Sequence, residues 1–135
     1  MRHLFMMAAA IASVTGCATA GGERGGISEK AAAKLAEFER TGDIKSCVNI
    51  RSISQMTALD DRHFLVRTGA NDYYLNEISG RCAGASNGFN RIQYSTSISQ
   101  LCRNEIITIV ENSTGFTAGS CGLSGFERLD KKPSE

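Results

Sequence analysis

Four cysteines, Cys47, Cys82, Cys102 and Cys121, restrict the fold of this 135-residue chain more than any other feature. Their gaps are 35, 20 and 19 residues. A four-cysteine zinc site draws on close pairs such as C-x2-C, and this spacing offers none. In an oxidising compartment an even set of cysteines forms disulfides. Three pairings are open. We expect Cys82–Cys102, which would staple the Gly/Ser-rich loop after Cys82, and Cys47–Cys121, which would join the first strand to a late one. By loop entropy such bridges contribute on the order of 3 and 4 kcal/mol.

The fifth cysteine, Cys17, stands apart. Residues 1–16 read as a signal peptide: Arg2 and His3, then an apolar run over residues 4–14. That run of 11 residues is shorter than the ~20 a membrane-spanning helix needs. It ends in Val14-Thr15-Gly16-Cys17, which resembles the lipobox of bacterial lipoproteins: an aliphatic residue, two small ones, then cysteine. The resemblance implies cleavage before Cys17 and lipid on its thiol. One acyl chain anchors only marginally, and two or three anchor durably. Ala18, not Asp, follows the cysteine. In the resembling lipoproteins this implies the periplasmic face of the outer membrane. Export also supplies the oxidising compartment that the disulfides need.

Residues 17–27 are small and Gly-rich and read as a lipidated tether. Ser28 is a candidate N-cap, and Ala31, Leu35 and Phe38 share one helical face, so an amphipathic helix is predicted over residues 28–42 with Gly42 ending it. Its face would pack on the sheet. From Cys47 the texture changes to Val, Ile, Thr, Tyr and Phe broken by Gly, Asn, Asp and Ser. Strands are predicted over residues 47–53, 62–68, 73–78, 92–98, 105–110, 116–123 and 126–129, within a β-rich domain spanning 45–129. Residues 130–135 read as a flexible polar tail. The expected fold is mainly β: a small antiparallel barrel or sandwich, disulfide-stapled, with one N-terminal helix.

Catalytic signatures are sparse. Removing residues 1–16, which carry Arg2, lowers the formal charge from +1 to zero. Nucleic acid would call for a basic excess, so no nucleic-acid partner is expected. There is no Gly-x-Ser-x-Gly elbow, dinucleotide fingerprint or P-loop, and no cofactor or metal site is expected. His63 is the lone histidine after the leader and is expected at the surface of a strand. Asp60-Asp61 reads as a turn. The aromatics Phe64, Tyr73, Tyr74, Phe89 and Tyr94 read mainly as packing. No enzymatic activity is expected. The loop Gly84-Ala85-Ser86-Asn87 is the candidate ligand loop.

The ordered set of motifs is similar to a family of small uncharacterised bacterial lipoproteins, a domain of unknown function. It comprises the lipobox, Cys47 opening a strand, Tyr73-Tyr74-Leu75-Asn76, Cys82, then Leu101-Cys102-Arg103-Asn104-Glu105-Ile106 and Ser120-Cys121-Gly122-Leu123. Asn104-Glu105 departs from the Gly-Asp type of turn expected after the third cysteine. The resemblance spans roughly residues 45–129 and implies no activity. It implies an exported, disulfide-bonded β domain. The expected partners are the membrane, through Cys17, and an envelope protein. The expected function is a non-enzymatic binding or structural module. The second expectation is an inhibitor of a lysozyme or envelope hydrolase.

Overall fold

The computed structural model describes residues 26–134. The expected signal peptide, Cys17 and most of the tether therefore lie outside the described residues. Ser28 caps helix α1 (Glu29–Leu35), accepting from the Ala31 N–H at 3.1 Å. The helix has 7 residues, much shorter than predicted. Residues from Phe38 onward form strand β1 (Phe38–Lys45) instead. Pairing along another strand outweighs the modest helix preference of this segment, since a short helix gains little by itself. Gly42 does take a left-handed φ of +75°, but it does so inside β1, between the two registered stretches of that strand.

Nine further strands follow: β2 (Cys47–Asn49), β3 (Ile53–Ala58), β4 (His63–Thr68), β5 (Asp72–Glu77), β6 (Asn90–Tyr94), β7 (Gln100–Cys102), β8 (Ile106–Glu111), β9 (Thr117–Gly122) and β10 (Phe126–Lys131). They build a five-stranded sheet in the order β1-β10-β5-β4-β3, a three-stranded sheet β6-β8-β9, and a β2-β7 pair. Every pairing is antiparallel. The sheets stack without closing, so the fold is a sandwich rather than a barrel.

Alternation along the central strands sorts two cores. Phe64, Val66, Tyr74 and Phe126 face the smaller sheets and meet Val48, Leu101, Ile107, Ile109 and Leu123. Leu65, Leu75 and Leu129 face the other way and meet Ala31, Leu59 and Phe38, with Leu35 at the margin. The helical triad Ala31, Leu35 and Phe38 thus does share one core, although Phe38 enters it from a strand. Helix, large sheet and small sheets form three layers.

Three further sequence expectations change. The predicted strand over 47–53 divides at a turn, where the Asn49 side chain accepts from the Arg51 N–H at 2.9 Å. The expected tail begins later, because Asp130 and Lys131 lie opposite Glu39 and Phe38 within the sheet. The disulfides are Cys47–Cys102 and Cys82–Cys121, not Cys82–Cys102 and Cys47–Cys121. Cys47 and Cys102 are register partners of β2 and β7, with Cα atoms 4.0 Å apart. Cys82 lies where the chain crosses to the three-stranded sheet and meets β9, with a Cα–Cα distance of 5.2 Å. Stapling the Gly/Ser-rich loop suggested a bridge from 82 to 102, but Cys82 lies outside any strand and reaches β9, while Cys102 faces Cys47 in register.

The bridges close separations of 55 and 39 residues. Loop entropy then gives each about 4 kcal/mol. Replacing Cys47 and Cys102 together by Ala should lower the unfolding free energy by about that amount in urea. Peptide mapping of the non-reduced protein should return the 47–102 and 82–121 pairs.

Candidate binding cleft

The site begins at the turn between β3 and β4. Asp60 and Asp61 sit side by side there and work in different directions. Asp60 Oδ2 accepts from the Ser28 N–H at 3.0 Å. Asp60 Oδ1 accepts from the N–H groups of Arg62 and His63, each at 2.8 Å. Asp61 Oδ1 accepts from the Ser86 N–H at 2.8 Å, and its Oδ2 from Arg81 Nε at 2.8 Å. The Asp61 carbonyl accepts from the Cys82 N–H at 2.7 Å. The turn reading of this pair holds, and the two carboxylates also anchor the helix start and the crossover loop.

His63 is not at the surface, as expected of it, but only 4% exposed. Its Nδ1 lies 2.8 and 3.0 Å from the two Asp60 oxygens. Its Nε2 lies 3.6 Å from Glu77 Oε1. Such an Asp–His pair can orient a general base, as in hydrolase triads. Among the described residues, however, no serine, threonine or cysteine hydrogen-bonds to Nε2. The group facing it is a carboxylate, which cannot be the missing nucleophile's hydroxyl. Nor, among the described residues, does any cluster of three or more His, Cys, Asp or Glu stand ready for a metal.

Asp60 and Asp61 lead to the loop carrying Gly84, Ala85, Ser86 and Asn87. Its constraint is Cys82–Cys121, not the bridge expected from the sequence. Gly84 has a φ of +80°, and a Cβ there would stand 2.8 Å from the Ala118 Cβ. Only glycine lets the loop approach β9 so closely. The Asn90 amide closes the loop on the Gly84 carbonyl at 3.0 Å, and Asn112 closes it on the Phe89 carbonyl at 2.6 Å. Of the four candidate loop residues, Ala85 and Asn87 line a cleft. Gly84 and Ser86 are occupied in holding the loop. Phe89, at its end, is 84% exposed.

The cleft has a volume of about 450 Å³ and lies between β3 and β6. Met56, Ile92 and Ile109 give it apolar surface, while Gln55, Asn87 and Arg91 give it polar groups. Of the expected aromatics, Tyr94 lines it, Phe64 and Tyr74 are buried in the core, and Tyr73 packs on Phe38 with ring centroids 4.9 Å apart. The β3 wall was missed from sequence. Its only signal was a run of Ser, Gln, Met and Thr with weak alternation.

The chain belongs to a family of unknown function, DUF6491. The match covers residues 1–133. No curated protein and no solved structure matches the chain. Family membership agrees with the expected resemblance to a domain of unknown function and brings no activity with it. The chemistry of this family member is therefore argued from its own residues.

Burial alone would raise the Asp60 carboxyl, but the N–H bonds from Ser28, Arg62 and His63 more than offset it and hold it at about 2. A carboxyl depressed in the folded state stabilises above its unfolded value of 3.8 and loses that contribution as pH falls towards 2. The contribution is on the order of 2 kcal/mol. Urea unfolding at successive pH values should show this loss between about pH 4 and pH 2. Asp60→Asn should be less stable at neutral pH and flatter across that window.

Proposed function

We propose that this chain is a lipid-anchored protein of the bacterial envelope whose β domain is a non-enzymatic binding module. The observation that carries the binding reading is the cleft between β3 and β6. Its volume of about 450 Å³ falls in the range of ligand sites, roughly 300–1,000 Å³. Its lining is mixed, with apolar surface beside a few placed polar groups, the usual make-up of a recognition site. The two disulfides support a life in an oxidising compartment.

Anchoring rests on the sequence Val14-Thr15-Gly16-Cys17 and the short apolar run before it. Lipid on Cys17 leaves four cysteines for two bridges, which agrees with the pairs Cys47–Cys102 and Cys82–Cys121. Ala18 favours the outer membrane, facing the periplasm. A non-enzymatic reading is supported by His63, whose Nδ1 bonds Asp60 and whose Nε2 has a carboxylate 3.6 Å away rather than a nucleophilic hydroxyl or thiol.

A second reading, inhibition of a lysozyme or envelope hydrolase, is favoured by one observation. Phe89 projects from a loop that a disulfide and several hydrogen bonds hold in place. An exposed aromatic on an ordered loop loses little entropy on docking.

Labelled palmitate should enter the wild-type protein and fail to enter Cys17→Ser. Equal labelling of both would end the lipoprotein reading. Lysozymes and envelope proteases assayed with micromolar protein should keep full activity if the first reading holds. Inhibition abolished by Phe89→Ala would replace it with the second.

A further inference from the structure

Strand edges differ in how they are protected. A bare edge presents unpaired N–H and C=O groups, and proteins usually blunt it with charge, proline, a bulge or a cover. In this fold β1 ends one side of the five-stranded sheet and β3 the other. The β1 edge carries Glu39, Arg40, Asp43 and Lys45 and is interrupted between Arg40 and Ile44. In the three-stranded sheet, β9 is bridged through Cys121 to Cys82, and Ala83 packs so closely on Gly119 that a side chain there would not fit. Both edges are defended.

The β3 edge is not. Its sequence is Ile-Ser-Gln-Met-Thr-Ala, with no charge and no proline. Past an irregularity at its start, residues 55–58 run in unbroken register with β4. In an antiparallel pair alternate residues turn their N–H and C=O groups away from the partner. Outside the β3–β4 ladder, no backbone hydrogen bond is made by residues 54–58 among the described residues. The residues that carry those groups line the cleft together with Ile92 and Ile109.

We infer that the cleft takes an extended peptide segment of a partner protein, added as a strand along β3. The inference rests on the binding-module reading and specifies its ligand class. Strand addition obtains affinity from main-chain hydrogen bonds and selectivity from pockets for alternate side chains. Arg91 is the charged residue lining the cleft, and among the described residues it forms no ion pair, donating instead to the Asn112 side chain. The peptide therefore carries an acidic side chain for Arg91 and aliphatic or small side chains for the apolar wall. A second copy of this chain is a poorer occupant, because its own unprotected strand offers no acid to Arg91.

The test selects binders from a displayed library of random 12-residue peptides on the full chain carrying Cys17→Ser. The selected peptides should contain an acidic residue. At saturation, the outward-facing amides among residues 55–58 should exchange more slowly by about tenfold or more, as expected for a newly made hydrogen bond. N-methylation at alternate peptide positions should weaken binding by about tenfold, with little effect at the positions between. Arg91→Glu should weaken the acidic peptides and leave the fold intact, since Arg91 is exposed. Failure to select any peptide, or β3 amides unchanged on binding, overturns the inference. Protection of β3 that rises with protein concentration alone also overturns it, in favour of self-pairing. A parallel screen of small-molecule fragments separates the two levels. Shifts at residues 87–92 from fragments, without peptide binding, leave the binding module standing and remove the peptide. Silence from both libraries removes both.

Discussion

Two adjacent carboxylates hold the three layers of this domain together at one corner. Asp60 ties the start of α1 to the β3–β4 turn through the Ser28 N–H. Asp61 ties the same turn to the loop that crosses to the three-stranded sheet, through Ser86 and Cys82. Hydrogen bonds to a charged acceptor are each worth roughly 1.5–3 kcal/mol, more than neutral ones. The pair therefore fastens the helix start and the crossover loop to one turn. The five-stranded sheet is buried on both faces along β4, with the helix over one core and the small sheets over the other.

Local chemistry was legible wherever a single residue decides the outcome. Ser28 caps a helix, and Asp60-Asp61 turns the chain. The mainly β class followed from the same texture. Long-range choices were less legible. Phe38 to Arg40 carries a helical pattern, but β10 offers it a ladder, and no local signal reports that offer. The left-handed glycine at 42 was correctly sensed and wrongly placed, because a strand interruption and a helix end ask the same φ of it. Disulfide pairing depends on which segments lie side by side, and stapling a loop or joining an early strand to a late one pointed to the wrong partners.

The candidate site was half legible for the same reason. The loop at residues 84–87 announces itself by composition, and two of its residues do line the cleft. The opposite wall is a sheet edge, and being an edge is a property of topology rather than of residue type. What the sequence of β3 does contain is an omission: none of the charges or prolines that usually guard such a position. That omission is readable only once the strand is known to be outermost. His63 shows the converse. Its burial is accommodated by Asp60 from its own turn, with Glu77 of β5 near its other nitrogen, and nothing in its local sequence announces that it is buried.

The Ser28–Asp60 bond also has a mechanical side. The chain enters the described fold at that point, so any tension on its N-terminal segment reaches this bond first. Behind it stands a helix of only 7 residues, and behind that the β1–β10 ladder. The order of resistance is thus a clasp, a short spring and a zipper. The clasp is a carboxylate, so the grip at the entry point loosens as pH falls towards 2, whereas the backbone hydrogen bonds of the ladder behind it carry no such group.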